Sequence, residues 1–288
     1  MCETLDVSTN GFYRWEKAEP SARDQEDDSL KKRILEIHDQ ASGDYGHRPI
    51  HDHLTEEGYP CGRDRTLRLM NELEISGQQS KAYKPQGTDS AHDFGYSANL
   101  LKELGETRFC DEAWVADTTY LLTDSGWMYL ATVMDRHSRR ILGWSVSANN
   151  DTALILEALK AAVMTRGTSV GGIIHHSDRG STYASYAYQN YLFALDMRSS
   201  MSAKGNCYDN AAMESFYGRF KTGSVRNRVF SDETDLRRHV FHYIEVFYNR
   251  FRKHSSLGYK NPIQFERDFF APHGGQREER YLYQSQTN

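Results

Sequence analysis

Trp114-Val115-Ala116-Asp117-Thr118-Thr119-Tyr120-Leu121-Leu122 is a run of β-branched, aromatic and aliphatic residues with one carboxylate, Asp117, at its centre. Such a composition favours a half-buried or buried strand. A charge inside it is costly unless it is paired or bound to a metal. Thr123-Asp124-Ser125-Gly126 then reads as a turn, Trp127 to Met134 as a second strand and Arg140 to Ser147 as a third. The short connections imply a three-stranded antiparallel meander.

Downstream the period changes. Thr152 to Thr165 carries apolar residues at 154, 155, 158, 159, 162 and 163, the spacing of an amphipathic helix. Gly171 to His176 reads as a short buried strand, and Tyr183 to Leu195 as another helix. Three strands, a helix, a strand and a helix make an α/β order with a mixed sheet. The expected fold is a ribonuclease-H-like, mixed five-stranded sheet with flanking helices, preceded by a small all-α helix-turn-helix region.

That front region is read from three segments. Ser29 is the expected N-cap of a helix whose apolar positions are 30, 34, 35 and 37. A second helix runs from His47 to Glu57 and stops at Gly58-Tyr59-Pro60. A third spans Asp64 to Leu73, with Leu67, Met70 and Leu73 on one face. Two short helices around a tight turn suggest a DNA-binding module, although any small helical bundle shares the pattern. The expected division is residues 1–85 for this region, 86–108 for a linker, 109–270 for the core and 271–288 for a tail.

Composition limits the class of protein. The chain has 288 residues, 38% hydrophobic and 26% charged with 6 Pro, which describes a folded protein and not a disordered one. No apolar run is long enough to span a bilayer, and no basic-then-apolar leader opens the chain, so a cytoplasmic location is expected. Cys2, Cys61, Cys110 and Cys207 are scattered, without metal or disulfide spacing. The net charge of −5 is uneven: −7 over residues 1–110, −2 over 111–203 and +4 over 204–288. A polyanion would therefore meet the last third, or metal ions would screen the acidic middle.

Three carboxylates stand at element ends or in a strand. Asp117 is in the first strand, Asp178 follows the strand that ends at Ser177, and Glu214 is in the first turn of a helix over 210–221, with Asn210 as its expected N-cap. In that helix Met213, Phe216, Tyr217 and Phe220 form the apolar face. Glu214, Gly218 and Lys221 form the other, with the glycine leaving room for a backbone to pass. Taken singly, a strand aspartate is usually an edge residue and a first-turn glutamate a dipole partner. His175 and His176 are adjacent in a strand and point to opposite faces, so they do not share one metal.

The joint spacing is more specific. Asp117, Asp178 and, after 35 intervening residues, Glu214 resemble the D,D(35)E signature of transposases and retroviral integrases. Ala116-Asp117-Thr118-Thr119-Tyr120, Asp135-Arg136-His137-Ser138-Arg139-Arg140, His176-Ser177-Asp178-Arg179-Gly180-Ser181 and Lys204-Gly205-Asn206-Cys207-Tyr208-Asp209-Asn210 look like the OrfB-type transposases of the bacterial insertion-sequence family three. So do Tyr248-Asn249-Arg250 and the front stretch Tyr45-Gly46-His47-Arg48-Pro49. The resemblance spans roughly residues 5–268. Thr118 replaces an isoleucine common in that family.

The resemblance implies cleavage of DNA at element ends and joining of the 3′ ends to target DNA. Asp117, Asp178 and Glu214 would hold two Mg²⁺ ions, with Mn²⁺ able to substitute, in a two-metal phosphoryl transfer. Lys221 would contact a phosphate, and Lys204, Arg219, Arg250, Arg252 and Lys253 would line the DNA path. The segment from Gly205 to Asp209 would close over DNA. A homo-multimer on DNA and a partner segment from an upstream reading frame are also implied. A ribonuclease-H-like nuclease without strand transfer, or a non-catalytic DNA-binding regulator of the element, remains the alternative.

Overall fold

The strand around Asp117 is the middle of a five-stranded sheet with the order β3-β2-β1-β4-β5. The computed structural model describes residues 8–10, 13, 20–77, 96–167, 170–202, 210–226 and 228–271. The chain forms two compact units, Met1–Gln78 and Gln79–Asn288.

In the first unit, α1 is Ala22–Gln40, α2 is His47–Glu56 and α3 is Arg63–Glu72. Helix α1 starts earlier than expected, because Ser21 and Asp24 form a reciprocal capping box; Ser29 lies inside the helix. The first turns are polar and exposed, so the apolar period becomes visible only from Leu30. Leu30, Ile34, Ile37, Ile50, Leu54, Leu69 and Met70 make the core. Leu67, expected beside Met70, is 41% exposed, and Thr66 takes the buried position instead. Arg65 and Arg68 both bind Asp27, at 2.7 and 2.6 Å, and Arg33 binds Glu57 at 2.5 Å. The acid surplus of this region is thus used to fasten helix to helix.

The second unit opens with α4, Leu100–Leu104, and the meander β1 Ala113–Thr123, β2 Gly126–Asp135 and β3 Ile141–Ser147. Helix α5, Thr152–Arg166, packs on β3 at Gly143, where a Cβ would come within 2.2 Å of the Ala158 carbonyl. Strand β4, Ile174–Ser177, runs parallel to β1, and β5, Arg198–Met201, runs parallel to β4. The helix expected over 183–195 is two pieces, α6 Ser181–Ala184 and α7 Tyr186–Ala194. Ser185 between them is extended, and its side chain caps α7.

Helix α8, Ala211–Phe220, continues as a π-helical turn, Lys221–Val225. Helix α9, Glu233–Phe241, likewise runs on as a π-helix, His242–Tyr248, and α10 is Pro262–Phe270. One face of the sheet packs Trp114, Ala116, Ala131, Val133 and Leu142 against Ile155, Leu159 and Ala162 of α5. A buried ion cluster holds α10 in place. Glu266 accepts from Arg166, Arg140 and Ser138, and Arg166 also reaches Asp111 at 2.8 Å. Asn249 completes the attachment by exchanging two hydrogen bonds with the backbone of Ile141, at 2.9 and 3.0 Å. Among the described residues no helix is long and apolar enough to cross a membrane.

Candidate active site

Register brings two of the carboxylates level. Val115 of β1 pairs with His176 of β4 in the parallel ladder. Asp117 and Asp178 each lie two residues beyond that pair, on neighbouring chain segments, and the Asp178 charge acts on Asp117. Asp178 is just past the C-terminal end of β4, and its Oδ1 accepts the Gly180 amide at 2.9 Å. Alternation along β1 turns Asp117 away from the α5 face, to the side that α8 crosses.

Glu214 enters from α8 as an exposed residue of the first turn. The helix presents the expected faces: Met213, Phe216, Tyr217 and Phe220 are its buried residues. Asn210 occupies the N-cap position but makes no capping bond through its side chain, because its backbone (φ −116°, ψ 18°) is not in the extended geometry that aims such a side chain at the helix amides. A Cβ on Gly218 would meet nothing within 4 Å, so the stripe between Glu214 and Lys221 is open.

The electrostatics report proximity. Burial first, then the Asp178 carboxylate, and more weakly Glu214, push the Asp117 carboxyl up to about 7. The Thr118 amide, 2.8 Å from Asp117 Oδ1, works the other way. With Asp178 and Glu214 acting on Asp117, the three carboxylates offer hard oxygen donors of the kind that suit Mg²⁺ or Mn²⁺. Lys221 also senses Asp117. Its Nζ stands 4.5 Å from the centre of the Tyr120 ring, and burial lowers its pKa.

The basic residues divide. Arg250 is exposed, and its Nε donates to the Glu245 carbonyl; Arg219 is partly buried. Arg252 and Lys253 are only 7% and 6% exposed, and Arg252 lies over Tyr248 and against His254. Both are thus buried in this structure and are not the open surface cations that the sequence suggests. Lys204 and the segment Gly205 to Asp209 lie outside the described residues.

Both histidines of the pair are buried and hydrogen-bonded within the fold. His175 shares a hydrogen bond with Tyr188, and burial lowers its pKa to about 3, while His176 contacts Ser200. Among the described residues Cys110, Asp135 and Glu266 are the group whose ligand atoms lie within 4.8 Å of one another; the Asp117, Asp178 and Glu214 carboxylates stand further apart than that, and the Arg166 guanidinium already neutralises the Cys110 group. Sequence reading missed the polar role of Tyr217, whose hydroxyl bonds the Asp117 carbonyl at 2.8 Å; in an amphipathic pattern it counts as one more apolar residue.

Comparison with known proteins follows this geometry. Integrase core domain models match residues 111–207 and 195–262, and an HTH-like domain model matches residues 25–83. A 31 kDa protein of insertion element IS600 from Shigella sonnei is 38% identical over 93% of this chain and 98% of its own. The transposase InsF of insertion sequence IS3A from Escherichia coli is 35% identical over 92% of both chains. The HTLV-2 integrase catalytic core domain in complex with magnesium is a fainter likeness, with 13% identity, 56% of this chain, 99% of its own and a TM-score of 0.42. With sequence identity of this extent along nearly the whole chain, the protein belongs to the IS3-type insertion-sequence transposases.

Proposed function

We propose that Asp117, Asp178 and Glu214 are the metal-holding residues of a polynucleotidyl transferase that cleaves DNA at the element's ends and joins the freed 3′ ends to target DNA. What carries this is the placement of Asp117 on the central strand, with Asp178 just past the end of the neighbouring β4 and Glu214 on α8, which packs against β1; burial and these two acids push the Asp117 carboxyl up. Uncompensated, such a cluster is unfavourable, and a polycation site is its simplest use.

Two divalent ions, Mg²⁺ or Mn²⁺, held by these three residues would supply the positive charge that an in-line displacement at phosphorus requires. The chain's own residues do the rest. Asp117, on the central strand, and Asp178, anchored by the Gly180 amide, give a rigid base. Glu214 completes the set from α8, whose seating is fixed by its four buried residues. Lys221 sets a phosphate beside the acids, and Gly218 leaves the space between clear for the strand. In cleavage water attacks the phosphodiester and the 3′ oxygen leaves. In joining the 3′ hydroxyl attacks and the target's 3′ oxygen leaves, so bonds broken and formed balance in both steps.

The reading includes a front DNA-contacting region over 1–85, a linker over 86–108, a core over 109–270 and a tail over 271–288. Because Arg33, Arg65 and Arg68 are engaged by acids of their own unit, end recognition is shared with a segment encoded upstream. Bringing two ends together requires a multimer, and chromosomal DNA as substrate sets the work in the cytoplasm.

The test is an assay of purified protein, end DNA and Mg²⁺. Asp117→Asn, Asp178→Asn and Glu214→Gln each abolish cleavage and joining while retaining DNA binding. Joining that survives in any of the three overturns the assignment. Cutting without joining by the wild type identifies a plain nuclease. Mass photometry with end DNA reads the multimer directly; an active monomer removes that part of the reading.

A further inference from the structure

The stretch before α4 does more than connect. Ser97 Oγ bonds Ser199 Oγ at 2.8 Å, the Leu100 amide donates to Ser200 Oγ at 2.9 Å, and the Met201 amide reaches the Ala98 carbonyl at 3.4 Å. Residues 97–100 thereby lie along the outer edge of β5, next to the parallel pair β4–β5. This anchoring carries Tyr96 to Arg179, the residue that follows Asp178. The guanidinium carbon stands 4.7 Å from the centre of the Tyr96 ring.

The acid site thus has a cation on an aromatic ring at two places. Lys221 stands over Tyr120, a residue of β1, and Arg179 stands over Tyr96, on the β5 side of Asp178. Both tyrosines are 41% exposed. A nucleic-acid strand brought to three carboxylates needs positive charge close by, and both pairs offer it. They differ in shape. Lysine is a point charge, whereas a guanidinium and an aromatic ring are each planar. Planes of this kind take nucleobases by stacking, and an unpaired base can offer both faces, whereas inside a duplex both are already covered.

We propose that Tyr96 and Arg179 form a stacking site for an unpaired nucleotide of the DNA strand entering the acid site. This rests on the reading of Asp117, Asp178 and Glu214 as the reaction centre. Its consequence is a requirement for end fraying: a base beside the scissile phosphate leaves the helix and stacks at Tyr96–Arg179, which holds the phosphate against the acids. The pair is thus a substrate-positioning element supplied by the segment ahead of the core.

The experiment measures binding of the full chain, in Ca²⁺ buffer, to two fluorescent duplexes of one sequence. One has flush ends; the other has mismatched, splayed terminal pairs carrying 2-aminopurine. Wild type is expected to bind the splayed duplex about tenfold more tightly and to quench the 2-aminopurine. Tyr96→Ala and Arg179→Ala lose the preference and the quenching, and Tyr96→Phe keeps both. Should Tyr96→Ala fail to fold by thermal melting, Tyr96→Leu keeps the apolar bulk without the π face and is expected to lose both. Retention of preference and quenching in the Ala or Leu variant overturns the proposal, as does a wild type that cleaves and joins end DNA in Mg²⁺ yet binds both duplexes alike. A wild type that prefers splayed ends but neither cleaves nor joins overturns the catalytic reading and leaves the stacking site standing.

Discussion

The Tyr217 hydroxyl donates to the main-chain carbonyl of Asp117 at 2.8 Å, with the Leu130 carbonyl at 3.2 Å, and meets Thr132 Oγ1 at 2.8 Å. One side chain, three residues past Glu214, therefore ties the helix bearing one carboxylate to the strand bearing another. The bonds to Leu130 and Thr132 are buried and that to Asp117 is partly so, so losing the hydroxyl leaves polar partners poorly served by water.

Tyr217→Phe keeps the ring and removes only the hydroxyl and its contacts to Asp117, Leu130 and Thr132. It is expected to lower stability by about 1–3 kcal/mol and to slow joining at least tenfold by letting Glu214 drift from Asp117. Denaturant unfolding and a joining time course check the two parts. Unchanged kinetics in a destabilised variant would show that Tyr217 serves folding alone.

Lys221→Ala is expected to weaken binding to end DNA and to flatten its salt dependence by about one unit of slope. Because Nζ rests over Tyr120 near Asp117, Lys221→Arg is expected to recover the slope but not the full joining rate, since a broader head group does not occupy the same place. Titrations at several salt concentrations, paired with joining rates, test both.

Gly218 separates stability from function. Nothing surrounds its missing side chain, so Gly218→Ala is expected to raise stability by about 0.5–1 kcal/mol through helix propensity. Gly218→Gln, which fills the open stripe, is expected to raise stability by somewhat less, about 0.5 kcal/mol, and to weaken end-DNA binding severalfold. Equal DNA affinity across the three proteins would mean that no strand passes there.

The Glu266 cluster predicts an acid-sensitive core. Burial raises this carboxyl, but Arg166 and Arg140 outweigh it and hold it at about 2, against 4.5 for an ordinary glutamate. A depressed carboxyl stabilises the fold fully above pH 4.5 and loses that contribution as pH falls towards 2. Glu266→Gln, which leaves Arg166 buried, is expected to cost about 3–5 kcal/mol near neutrality. The gap to wild type should close between pH 4.5 and 2, as melting across that range would record. A gap independent of pH would show that shape and not charge is at stake.

The sequence alone determined whatever repeats locally. The meander over 113–147, the helix over 152–166 and the buried face of Met213, Phe216, Tyr217 and Phe220 follow from period and composition, and the spacing of Asp117, Asp178 and Glu214 can be counted. Tertiary structure decided the partners. Arg252 and Lys253 read as surface cations and are buried; Leu67 reads as core and is exposed; Arg166 and Glu266 meet across 100 residues, and Tyr96 meets Arg179 across a similar gap. Periodicity records which face of an element is apolar, because the twist of a helix or pleat of a strand repeats every few residues. The fate of a long polar side chain depends instead on which distant charge or ring the fold brings to it, and no local repeat encodes that distance.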